Sequence, residues 1–137
     1  MEFPSYLTPA GQQIISIISS MKYTLRENAS TCNNKEIFGH HRPPNSTICL
    51  DNIKNKISPV KHYVNETVYH EAVHVAQTCK GSNLNIETPL SENKLNDVKR
   101  SAKIITGKAF YDPREMEAYY LEDKPEIVLY QLKKYCM

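Results

Sequence analysis

Two histidines and a glutamate near the middle of the chain have the spacing of a metal site on a helix. His70, Glu71 and His74 form an H-E-x-x-H motif within the segment Tyr69–Gln77. On an α-helix of about 3.6 residues per turn, residues four apart project from one face, so both imidazoles can reach one metal ion. Glu71 lies beside them, where a carboxylate can take a proton from water that the metal activates. The motif predicts a hydrolytic zinc site of the metalloprotease type.

The sequence around the motif has the period of a helix. Apolar residues recur in steps of three and four from Val60 to Cys79, and no proline or glycine interrupts the run before Gly81. Ser58-Pro59 precedes the run as a helix start, and Gly81 stands where a C-cap belongs. We therefore predict one helix that carries both histidines.

A catalytic zinc needs a third protein ligand, which the motif does not supply. No histidine follows His74. His62 is about 12 Å from His70 along the same helix, too far to join the site. His40 and His41 lie beside a predicted strand and are expected to be exposed. A carboxylate on a second helix fits better, and the candidates are Glu115, Glu117 and Glu122.

The segment Glu115–Tyr119 resembles the E-x-x-A-[DN] element of gluzincins, which include ImmA/IrrE-type proteases, heat-shock and prenyl-protein membrane metalloproteases, and compact minigluzincins. The resemblance covers the two motifs and, loosely, the preceding strand, roughly residues 45–122. It implies a zincin-like fold and peptidase activity. The roles that it implies are zinc ligands at His70, His74 and Glu115, a general base at Glu71, and a small residue at Ala118 that lets the two helices approach.

Three features of this segment leave alternatives open. Tyr119 stands where those families often place an Asp or Asn that holds a ligand histidine. Glu117 also precedes Ala118, and it lies roughly 200° from Glu115 around a helix, so only one of the two can face the metal. Asp112 and Glu115 also match a capping box, which is the alternative role for Glu115.

The other segments predict a mainly helical α+β fold in a single domain that spans residues 1–137. Two β-prone runs, Ile37–Gly39 and Thr47–Leu50, are joined by a turn at Arg42–Ser46 and predict a hairpin before the metal-site helix. Its edge is expected to form a wall of the cleft and to bind extended peptide. Lys54–Lys56 reads as a basic connector. Further helices are predicted from Thr8-Pro9 to about Arg26, from Ser91 to about Thr106 with Gly107 at its end, from Asp112-Pro113 onward, and from Pro125 to about Tyr135.

Composition restricts the cellular compartment and the classes of partner that we expect for this protein. The 137 residues carry a net charge of +2 without a long run of one sign, which gives no case for a nucleic-acid partner. No secretory signal is visible at Met1–Pro4, and no apolar run approaches the ~20 residues of a membrane span. We therefore expect a cytoplasmic protein with no membrane partner. Four widely spaced cysteines are then expected to be buried thiols, with disulfides as the alternative: Cys32, Cys49, Cys79 and Cys136.

The sequence therefore predicts a zinc metallopeptidase that cleaves peptides or protein segments. The oxyanion of such a reaction usually needs a donor besides zinc, and the candidates by proximity in sequence are Tyr111, Tyr119 and Tyr120. The alternatives are a non-catalytic zinc-binding or interaction domain of the same fold, and a latent peptidase whose own terminus blocks the cleft.

Overall fold

The computed structural model describes all residues, 1–137, and arranges them as six α-helices and one three-stranded sheet. The helices are α1 Pro9–Ser20, α2 Leu50–Lys56, α3 Val60–Lys80, α4 Glu92–Thr106, α5 Pro113–Leu121 and α6 Pro125–Cys136. The strands are β1 Thr24–Glu27, β2 Gly39–Arg42 and β3 Asn45–Ile48. Short 3-10 turns occupy Phe3–Tyr6 and Ser30–Asn33. The predicted α+β class, mainly helical with a small sheet before the motif helix, is confirmed.

The sheet has the order β1-β3-β2, with β1 parallel and β2 antiparallel to β3. The β2–β3 hairpin was predicted, although its strands begin at Gly39 and Asn45 rather than at the predicted positions. Because β3 lies in the middle, the outer edge of β2 has no strand partner. This edge borders the cleft described below.

Two predicted boundaries are wrong for the same physical reason. The first helix ends at Ser20 rather than near Arg26, and the residues that follow form β1, whose register pairs Thr24 with Asn45. Lys54–Lys56 is the last turn of α2 rather than a connector. In both places, contacts with residues distant in sequence outweigh the local pattern.

Helix α3 is the centre of the domain and is buried along most of its length. It packs against α1, α5, α6 and the sheet, and every residue from Thr67 to Gln77 is buried. Its predicted end is confirmed, since Gly81 has a φ of 81° and its N–H donates to the carbonyl of Gln77. The core that surrounds it includes Phe3, Ile14, Ile18, Leu50, Ile53, Leu121, Val128 and Leu132. A polar motif thus lies on a helix that the rest of the chain encloses.

The prediction of free thiols is wrong, because the cysteines form two disulfides. Cys32 pairs with Cys49, and Cys79 pairs with Cys136. The fold brings the Cα atoms of these pairs to 5.5 Å and 5.2 Å, within the range that a disulfide bridges. The second bond joins the C-terminal turns of α3 and α6, close to the motif. None of the helices is long and apolar enough to cross a bilayer.

Candidate metal centre

His70, His74 and Glu115 meet where α5 packs across α3. His70 and His74 lie one turn apart on α3, with their ring centroids 5.3 Å apart. The Nε2 atoms of His70 and His74 lie 3.2 Å and 2.6 Å from the two carboxylate oxygens of Glu115. One ligand atom from each residue lies within 4.8 Å of the others, and this is the one such trio of His, Cys, Asp or Glu in the chain.

The geometry separates the two glutamates that the sequence left open. Asp112 caps α5 by accepting from the N–H of Arg114, but Glu115 makes no capping box, because its carboxylate reaches the histidines instead. Glu117, on another face of α5, accepts from the backbone N–H groups of Leu84 and Asn85. Only Glu115 of the pair is therefore close enough to share a metal with the histidines.

The other ring nitrogen of each histidine is held in place by a side chain. Nδ1 of His70 donates to Oε1 of Glu122 at 2.9 Å, and Nδ1 of His74 donates to Oε1 of Gln77 at 2.8 Å. The amide of Gln77 is itself oriented, since its Nε2 donates to Glu117 at 2.8 Å. Both Nε2 atoms are thereby directed at Glu115. Fixing one ring nitrogen by a polar partner is how proteins orient metal-ligating histidines.

Tyr119 contacts His70 through its ring rather than through its hydroxyl. The two rings meet edge to face with centroids 4.5 Å apart, and the hydroxyl hydrogen-bonds to Ser101 at 2.5 Å. The hydrogen bond that the position of Tyr119 suggested is made by Glu122, one helical turn later. From the sequence, Glu122 was a candidate only for the third metal ligand.

The three tyrosines proposed as oxyanion donors do not share one location. Tyr119 lines the cleft beside the site. Tyr111 and Tyr120 lie outside the cleft lining, and their rings pack under the side chains of Lys99 and Lys124. Only Tyr119 of the three lies near the histidines of the site.

The side chain of Glu71, a residue of α3, lies against the backbone of β2. A Cβ atom added at Gly39 would come within 2.7 Å of Oε2 of Glu71 and within 2.7 Å of the Thr67 methyl group. A separation this short is a steric clash, so only glycine lets the strand approach the carboxylate this closely. Sequence reasoning missed Gly39. The one available signal was a glycine in the β-prone run before the motif helix.

His41 also lies nearer the site than predicted. Its ring centroid is 5.7 Å from that of His74, and its Nε2 atom is 2.9 Å from the hydroxyl of Tyr23. His40 and His41 are half-buried on β2 rather than exposed. Burial, with the positive charges of His74 and Arg114, lowers the pKa of His41 to about 3. His41 is therefore a neutral imidazole beside the metal-site cluster.

Charge interactions dominate the protonation of the site. Burial opposes the imidazolium of His70, but hydrogen bonds to Glu115 and Glu122 outweigh it and raise its pKa well above the ordinary value. The pKa of His74 is also raised, because attraction to Glu115 overcomes burial. Burial would raise the pKa of Glu115, yet His74 and His70 hold it well below the usual range. Burial raises the pKa of Glu71, opposed by the same two histidines.

These residues fit a zinc ion. Two imidazoles and one carboxylate are a ligand set of catalytic zinc sites, which keep one position open. The carboxylate of Glu115 stabilises positive charge on the two imidazoles. A cation would bind between this carboxylate and the two Nε2 atoms. The site opens into a cleft of about 680 Å³. Its walls include Phe38, the edge-strand residues Gly39 and His40, and Ile104 and Ile105 of α4.

Comparison with known proteins places the chain in a family without assigning a function. The chain belongs to the family described as a domain of unknown function (DUF8637), whose family model matches residues 3–137. No curated protein and no solved structure matches it. The resemblance to gluzincins therefore stays a prediction from the motifs.

Proposed function

We propose that this DUF8637 protein is a zinc-dependent metallopeptidase of the gluzincin type. The observation that carries the proposal is the convergence of His70, His74 and Glu115, whose ligand atoms lie within 4.8 Å of one another beside a cleft. The orientation of both histidines through their Nδ1 atoms supports a metal role rather than a simple buried ion cluster.

Glu71 is the general base in this proposal. When bound, zinc would supply the Lewis acidity that activates a water molecule and polarises the peptide carbonyl. The carboxylate of Glu71 accepts the proton of the attacking water and returns it to the leaving amine. The pKa of Glu71 is raised by burial, which strengthens this carboxylate as a base. The backbone of β2 approaches this carboxylate closely at Gly39.

An extended peptide is the substrate that suits the cleft. The outer edge of β2 carries backbone groups without a strand partner and forms one wall of the cleft, so a peptide can add to it as a further strand. The exposed side chains of Ile104 and Ile105 on α4, which also line the cleft, offer apolar contact to the substrate. Peptide and protein segments remain the expected substrate class.

The disulfides favour an oxidising compartment for this activity. Disulfides persist outside the cytosol and are rare within it. Two of them, Cys32–Cys49 and Cys79–Cys136, use all four cysteines of the chain. This supports an extracytoplasmic setting over the cytoplasmic one expected from the sequence.

Metal analysis and one isosteric variant test the proposal. Protein purified without added metal should contain about one zinc per chain. Wild type should cleave members of a mixed peptide library, and Glu71→Gln should abolish cleavage while retaining zinc and the wild-type melting temperature. Glu87→Gln, an exposed change outside the cleft, is the control and should leave cleavage intact.

The outcomes separate the peptidase from its alternatives. Protein that neither contains nor binds zinc contradicts the proposal. Protein that binds zinc but is as inert as Glu71→Gln on the library supports a non-catalytic zinc domain instead.

A further inference from the structure

Two of the three cations that line the cleft have no partner in the protein. Arginine and lysine side chains line the cleft at Lys56, Arg100 and Arg114. Arg100 is engaged, with its guanidinium 2.5 Å from the carboxylate of Asp97. The guanidinium of Arg114 makes no ion pair and donates no hydrogen bond to any protein group, although its residue directly precedes Glu115.

Two hydrogen bonds fix the backbone at Arg114, and its exposed side chain lines the cleft. Its N–H donates to Asp112 at 3.0 Å, and its carbonyl accepts from Nε2 of Gln77 at 3.1 Å. Burial, the charge of His74 and, more weakly, the charge of Arg114 lower the pKa of His41 on β2. Lys56, the other unpaired cation, is the last residue of α2.

A free guanidinium at this position is suited to a carboxylate. Arginine presents a planar fork of donors that binds carboxylates through two parallel hydrogen bonds. We propose that Arg114 binds a carboxylate of the substrate and so selects peptides with a negative charge close to the scissile bond. The inference rests on the proposed peptidase function and names the substrate class of the same site. The carboxylate belongs either to the peptide C-terminus or to an Asp or Glu side chain.

Binding to an inactive protein tests the inference without turnover. Four versions of one peptide that wild type cleaves would be titrated into zinc-loaded Glu71→Gln protein by calorimetry. They combine Glu or Gln beside the scissile bond with a free or an amidated C-terminus. The peptides with the relevant carboxylate should bind about tenfold or more tightly than their neutral counterparts, as for a charged hydrogen bond. The carboxylate whose removal weakens binding shows whether Arg114 binds an acidic side chain or the peptide C-terminus.

Matched arginine variants assign the preference to one residue. Arg114→Ala in the Glu71→Gln background should remove the carboxylate preference and leave affinity for the neutral peptide nearly unchanged. Arg100→Ala removes the same charge from the same cleft, and Lys56→Ala removes the other unpaired cation; both should keep the preference. Arg114→Lys should keep part of it, since a lysine provides the charge without the fork.

Three outcomes would overturn the inference. These are equal binding of charged and neutral peptides, binding of none of the four, and a preference that Arg100→Ala lowers as much as Arg114→Ala. The proposed function has a separate test. Wild type that cleaves peptides without regard to charge retains the peptidase proposal and rejects the role of Arg114. Wild type without zinc or cleavage rejects the peptidase proposal itself.

Discussion

The Nδ1 atom of His70 lies 2.9 Å from Oε1 of Glu122, a residue 52 positions further along the chain. The carboxylate of Glu122 is buried and also lies 3.7 Å from the ammonium group of Lys94, which balances part of its charge. The same helix that brings Glu115 to the Nε2 side of the imidazole is thus followed by a carboxylate on its Nδ1 side. A single helix–helix contact both completes and orients the candidate site.

Glu122→Gln should weaken zinc binding about 10–100-fold, the usual effect of losing a group that orients a ligand histidine. The amide keeps the shape of the carboxylate but removes the charge that holds the Nδ1 proton. Competition with a chromophoric chelator measures the affinity. Glu126→Gln, in the first turn of α6, is a control on the protein surface. Unchanged zinc affinity in Glu122→Gln would show that His70 does not need this partner.

Glu115→Gln should mainly weaken zinc binding, whereas Glu117→Gln should mainly weaken folding. Removing the carboxylate of Glu115 should weaken zinc binding by more than the ~100-fold expected for an orienting group. Glu117 accepts from the N–H groups of Leu84 and Asn85, so its change should lower the free energy of unfolding by about 2 kcal/mol.

Zinc titration and denaturant unfolding of both variants make this comparison. Glu117→Gln should still bind zinc once folded, with some loss because Glu117 orients Gln77. If Glu117→Gln loses more zinc affinity than Glu115→Gln, the assignment of the third ligand is reversed.

Gly39→Ala should slow the reaction without removing the metal. Its new Cβ would press on Oε2 of Glu71, and a displacement of about 1 Å at a reacting group can cost about 100-fold in rate. We expect kcat to fall with little change in KM and with one zinc per chain retained. Gly107→Ala is the control. It also introduces a side chain at a glycine, with a φ of 84°, but its Cβ meets no atom within 4 Å. It should lower stability while keeping kcat.

The stabilisation by zinc should increase as pH rises. In the metal-free protein, His70 and His74 have pKa values raised by their carboxylate partners. The contribution of these histidines to the stability of the metal-free protein is therefore fully present below their unfolded-state pKa of about 6.5. It is lost as pH rises through their folded-state pKa. Glu115 has a lowered pKa, so its contribution is lost only in acid. Zinc needs neutral imidazoles, so its binding releases protons and strengthens with pH.

Thermal melts with zinc and with chelator, from about pH 5.5 to about pH 8.5, measure this effect. The difference between the two melting temperatures should widen toward high pH. A difference that stays constant or narrows would contradict metal binding through these histidines.

Loss of the Cys79–Cys136 disulfide should destabilise the domain. The bond closes a loop with a sequence separation of 57, for which chain entropy gives about 4 kcal/mol. The double change Cys79→Ala with Cys136→Ala, followed by denaturant unfolding, measures the loss. The Cys32–Cys49 bond closes a separation of 17, so its removal should cost less, about 3 kcal/mol. Equal stability with and without both bonds would contradict a stabilising role for the disulfides.

The sequence by itself determined what depends on neighbouring residues. Spacing of four along one helix places His70 and His74 on the same face, whatever surrounds them. Local backbone chemistry likewise fixed the N-cap at Asp112 and the left-handed ends at Gly81 and Gly107. These features need only the helical period and the conformational freedom of glycine, both of which can be read from a short segment.

Only the tertiary structure decided the contacts between distant segments. Glu115 and Glu117 are both compatible with the helix, and the face of α5 that packs on α3 chose which one meets the histidines. The same packing set Glu122 against Nδ1 of His70. The importance of Gly39 likewise follows from the close approach of β2 to Glu71. Such pairs are fixed by the packing of segments that are distant in sequence, and this packing produces no periodic pattern in the sequence. The cysteine pairing and the short strand β1 depend on long-range packing in the same way.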